Sequence, residues 1–121
     1  MNFSYFLLLI NILSIMLFLT IDASLIREYK LYRYDNYSHF LMYTIFSFIS
    51  SGIFFKSRNI LFLFFMLIFP FATEYIQYFY PTRSVDIKDL YNNYYGLVFG
   101  ILLFTIFKYV KKTKYFKSCN N

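Results

Sequence analysis

"EYIQYFYPTRSVDIKDLYNNYYGLVFG", residues 74–100, carries three of the chain's six acidic side chains (Glu74, Asp86 and Asp89) between two strongly apolar runs. Acids are ordinary in a soluble loop and expensive in lipid, so the fold turns on which setting they occupy. Their spacing decides it. Asp86, Asp89, Asn93, Gly96 and Gly100 follow one another in steps of three and four, which keeps all five within about 80° of arc on a helix. Ser84 is placed to cap that helix, and Asp86 falls in its first turn, where the dipole favours an anion. The stripe is polar at its start and a Gly-x-x-x-Gly pair below, a spacing that lets a second helix approach closely inside a membrane. Glu74 and Gln77, three apart, share a face at the end of the preceding run.

The rest of the chain fits that reading. It has 121 residues, 60% hydrophobic and only 15% charged, which points away from a soluble domain. Four apolar stretches, at roughly 3–22, 37–55, 60–80 and 89–109, each match the ~20 residues that cross a hydrocarbon core as a helix. The first lacks a basic leader and a small-residue cleavage site and is too long for a signal core, so it reads as a retained helix. The expected fold is all-α: a single domain over 1–121, a four-helix integral membrane bundle with a basic tail at 110–121. Pro70 removes one backbone hydrogen bond from the third helix, so a kink is expected there. Cys119 is the only cysteine, which excludes an intrachain disulfide and a multi-cysteine zinc site.

Charge orients the bundle. Lys56, Arg58, Lys108, Lys111, Lys112, Lys114 and Lys117 fall on the side of the termini; Arg27, Lys30, Arg33, Arg83 and Lys88 fall on the other. The excess of lysine and arginine predicts both termini in the cytoplasm and the 22–36 and 81–88 loops outside. Anionic headgroups account for the basic tail, and nucleic-acid binding is not expected. Most tyrosines (Tyr37, Tyr75, Tyr78, Tyr91 and Tyr95 among them) cluster near the predicted outer boundary, the depth an amphipathic ring prefers. Tyr43 lies deeper.

On the second helix Asp35, His39 and Tyr43 are spaced four apart and stack along one face. Together with the groups on the third and fourth helices they predict one polar pocket opening to the outer face. Its lining would be Asp35, His39, Tyr43, Glu74, Gln77, Arg83, Asp86, Asp89 and Asn93, because charges at this depth face the bundle interior or water rather than lipid. Buried polar groups are expected in the outer leaflet only, which argues against a transporter.

These same residues resemble the VanZ-like family. The likeness rests on "DNYSHFLMY" in the second helix and on E-x-x-Q, a turn with Pro and Arg, D-x-x-D, then N-x-x-G-x-x-x-G across the third and fourth. It implies a bacterial integral membrane protein of the cytoplasmic membrane, in a family whose namesake is associated with low-level teicoplanin resistance.

Roles for single residues divide between chemistry and support. An Asp35–His39 pair would hold one imidazole nitrogen and leave the other for acid–base work. Glu74, the deepest acid, is the other catalytic candidate. Arg83 either pairs with a nearby carboxylate or captures a phosphate with its planar fork. No metal site is predicted; the nearest set of hard ligands would be His39, Glu74, Asp86 and Asp89, and no cofactor is identified. Gly96 and Gly100 read as helix-packing positions. The expected partners are membrane lipids, with a lipid-linked cell-wall precursor or a lipoglycopeptide as the molecule bound. An intramembrane enzyme acting on a lipid-linked headgroup, or a cluster that only pins helices together, are the alternatives.

Overall fold

The computed structural model describes residues 3–20, 32–57, 60–79 and 87–119. The chain is all-helical: α1 (Phe3–Thr20), α2 (Tyr32–Ser57), α3 (Ile60–Gln77) and α4 (Ile87–Cys119). Three of these, α2, α3 and α4, are long and apolar enough to cross a membrane. α1 is apolar over Phe3–Leu17, the part of it whose side chains are described, and that part is shorter.

The helices outrun the apolar stretches at their polar ends. α2 begins at Tyr32 rather than near 37, and α4 runs on to Cys119 rather than stopping near 109. Hydropathy marks where the hydrocarbon ends, whereas lysine and tyrosine carry a helix on into headgroups and water at little cost. α4, with 33 residues, is therefore about 50 Å long at 1.5 Å per residue, well beyond a hydrocarbon core of about 30 Å. α3 does the opposite and closes early. After Gln77 it tightens into a turn in which the Tyr78 amide donates to the Glu74 and Tyr75 carbonyls and Phe79 donates to Ile76, satisfying carbonyls that a helix end leaves open.

The closest pairing is α2 on α4, and glycine is the reason. Phe40 and Tyr43 press on Gly96, and Thr44, Ser47 and Phe48 press on Gly100, so closely that any Cβ there would overlap them. Where two backbones meet without intervening side chains, dispersion contacts replace the hydrophobic effect that lipid cannot supply. α1 packs mainly on α2, burying Leu8, Asn11 and Ile15 at helical spacing. α3 buries Met66, Phe69, Pro70, Thr73, Glu74 and Gln77, one face repeated every three or four residues. α3 touches both α2 and α4, but less intimately than those two touch each other.

Aromatic rings fill the remaining interior. Phe46 stacks on Phe69 at 4.8 Å, with Phe65 and Tyr43 around them. At the end of the bundle opposite the acids, Phe104 stacks on Phe55 at 5.6 Å, and the Lys108 ammonium lies 4.3 Å from the Phe55 ring centre. That cation–π contact marks where the apolar part of α4 ends. Large hydrophobic side chains such as Phe64, Ile68, Leu102 and Ile106 cover the outside, the reverse of a water-soluble surface and the surface that lipid demands.

Candidate functional site

The site grows from three helix faces that meet at one end of the bundle. The i, i+4 spacing of α2 turns His39 and Tyr43 inward; α3 brings Thr73, Glu74 and Gln77; α4 brings Asn93, and all six side chains are buried. Asn93 is completely enclosed and joins the three helices. Its amide nitrogen donates to Glu74 Oε1 at 2.7 Å, and its Oδ1 faces His39 Nδ1 at 2.9 Å. An amide oxygen can only accept, so the imidazole proton on that side sits on Nδ1. His39 Nδ1 is also 3.8 Å from Glu74 Oε1. The amide thus lies between a carboxylate and an imidazole and presents to each the end of its dipole that suits it.

A second pair supports the first. Thr73 donates to the Pro70 carbonyl at 2.8 Å and is hydrogen-bonded to Tyr43 across the α2–α3 interface. Because the threonine proton is committed to Pro70, the phenol is the donor in the Tyr43–Thr73 bond. From α4, the Tyr94 hydroxyl donates to the Leu67 carbonyl at 2.9 Å. Pro70 has no N–H to give, so the backbone of this turn is short of a donor, and α3 runs helically through it. Tyr43 and Tyr94 hold the proline turn from two sides, one turn below Glu74. Tyr94→Phe is expected to cost about 1 kcal/mol and to loosen α3 there, read as faster amide exchange at residues 71–74 with α2 unchanged.

Of the residues expected to line one pocket, His39, Tyr43, Glu74, Gln77 and Asn93 are brought together, and Asp89 lies half-buried one turn before Asn93 on α4. Arg83 and Asp86, and the side chain of Asp35, lie outside the described residues. Gly96 and Gly100 line the α2 contact below the cluster. Among the described residues no three His, Cys, Asp or Glu side chains converge in the manner of a metal centre. The Gln77 amide nitrogen is buried with no hydrogen-bond partner among the described residues, a group that a ligand or water is suited to satisfy.

Sequence reasoning missed several contributors. Thr73 and Tyr94 were invisible because they donate to backbone carbonyls, those of Pro70 and Leu67, and spacing does not report such a pairing. Burial of polar groups also continues below the outer cluster, against the expectation that confined it to one leaflet. Thr44, Ser47, Ser50 and Ser51 are buried along α2, and Asn11 is buried on α1. The signal was present in "YTIFSFISS", residues 43–51, where hydroxyls recur at three and four. Small hydroxyl residues also serve close helix packing, and Ser47 does so by bonding back to the Thr44 carbonyl at 3.2 Å beneath Gly100.

Neither a curated protein nor a solved structure matches the chain. The VanZ/LLP1 family does match, over residues 2–108, a span that includes all of α1, α2 and α3, the whole cluster and the glycine contact. With helices fit to cross a membrane and nearly its full length covered, the chain is a membrane protein that belongs to the VanZ/LLP1 family.

Proposed function

We propose that this is a multi-pass protein of the bacterial cytoplasmic membrane, with both termini in the cytoplasm, that binds an amphipathic envelope molecule at the outer leaflet. A lipid-linked cell-wall precursor or a lipoglycopeptide fits that description, and through such binding the protein contributes to teicoplanin resistance. The observation that carries the reading is the His39–Asn93–Glu74 network, buried at the confluence of three helices. Ionisable groups buried at membrane depth are costly and are kept where they do something.

A second reading makes the same cluster an intramembrane acid–base centre acting on a lipid-linked headgroup. Asn93 favours it by fixing the imidazole tautomer, which is what a general acid or base requires of its support.

Expression in a sensitive host is expected to raise tolerance to teicoplanin more than to a glycopeptide without a lipid chain. Glu74→Gln and His39→Asn should each remove that gain while protein level holds. Equal tolerance with and without the protein would count against the resistance role. Loss of the protein itself in both variants would assign the cluster to folding alone.

A further inference from the structure

Beside the polar cluster, and sharing Glu74 with it, lies an apolar slot of about 290 Å³ between α3 and α4, lined by Phe71, Glu74, Tyr75, Tyr78 and Leu90. Glu74 contributes only its hydrocarbon stem, because its carboxylate is turned to Asn93. The aromatic wall is already assembled: Phe79 meets Tyr75 edge-on at 5.3 Å and Tyr78 edge-on at 5.8 Å. Preformed walls distinguish a binding slot from a merely greasy surface.

What covers the slot follows from where it opens. Phe71 and Tyr75 are 58% and 59% exposed on a helix apolar and long enough to cross a membrane, and Tyr78, 70% exposed, stands in the turn that closes it. The open side therefore faces hydrocarbon at Phe71 and approaches the headgroup level at the tyrosines, the depth their hydroxyls prefer. The volume is at the lower end for small-molecule sites, at about 300 Å³, room for a length of one acyl chain and too small for a bulky headgroup. We propose that the slot between α3 and α4 seats one acyl chain of an outer-leaflet phospholipid, which enters sideways from the bilayer. It rests on the proposed orientation only in assigning the leaflet. The occupied chain lies against the stem of Glu74, so the bilayer reaches the back of the polar cluster directly.

Photocrosslinking tests it. The whole protein is reconstituted in bilayers containing phosphatidylglycerol with a diazirine midway along one acyl chain, and crosslinked positions are read by mass spectrometry. Label should concentrate on residues 71–79 and on Leu90, and excess unlabelled phosphatidylglycerol should compete it away. Leu90→Trp, which fills the slot, should lose most of this label, whereas Ile106→Trp at the other end of α4 should keep it. Label spread over Phe64, Leu102 and the slot in proportion to exposure, without competition, would overturn the proposal, as would full labelling of a folded Leu90→Trp. The wild-type competition result stands even if that variant fails to fold. Loss of slot labelling with the teicoplanin gain intact strikes this inference alone; slot labelling without any gain strikes the resistance role alone.

Discussion

Placing one methyl group on Gly100 is expected to destabilise the protein by about 1–3 kcal/mol or more, the range for overpacking a well-filled interior. The new Cβ would fall on the Ser47 hydroxyl and the Thr44 carbonyl, with the Phe48 amide nitrogen at 3.1 Å. A hydroxyl can rotate aside, but a helix carbonyl cannot, so α2 and α4 must separate. Gly96→Ala meets the Phe40 carbonyl and, at 3.1 Å, Tyr43 Cβ, and should cost a similar amount. The double variant should not accumulate. Gly52→Ala is the internal control, because its Cβ would meet only the Phe104 ring, at 3.3 Å, and a ring edge can give way. Thermal denaturation in detergent and protein level in cells read all four. A Gly100→Ala protein as stable as the wild type would mean that the α2–α4 contact is looser than described.

Asn93→Leu is expected to have the second largest effect, and it separates folding from chemistry. Leucine shares asparagine's branching, though it is bulkier, and bonds neither neighbour, so Glu74 Oε1 and His39 Nδ1 both lose their 2.7 and 2.9 Å partners. Each buried group left without its bond costs about 1–3 kcal/mol, more where it is charged. Some of that cost is returned in a membrane protein, where the unfolded helices also find partners. Glu74→Gln should be much milder, because its amide oxygen still accepts from the Asn93 nitrogen. Melting temperature is therefore expected to fall in the order wild type, Glu74→Gln, Asn93→Leu, with the last step the larger. If the two variants melt together, the bridging amide contributes nothing beyond the charge.

Much of this arrangement was legible in residues 74–100. The steps of three and four from Asp86 to Gly100 identify both the polar mouth and the close-packing face of α4, because one helical period serves both purposes. The four-apart spacing of His39 and Tyr43 likewise fixes which side of α2 looks inward. Spacing does not reveal which atom meets which. That Asn93, rather than one of the aspartates, bridges Glu74 to His39 depends on the relative depth of three helices, and depth is set by packing at Gly96 and Gly100. Helix ends were the other weak point. Hydropathy finds the stretch that lipid tolerates, and the lysines after Phe107 end that stretch without ending α4.

The unequal packing of the four helices decides how the cluster comes apart. α2 and α4 are fastened backbone to backbone, so His39 and Asn93 travel as one body, whereas α3 is held by side-chain contacts and a few hydrogen bonds. The weakest plane through the site therefore runs between Glu74 and Asn93. Opening along it swings the acid away on its own helix and leaves the amide and imidazole behind. The Glu74–Asn93 bond is thus the part of the cluster that depends most on how α3 is seated.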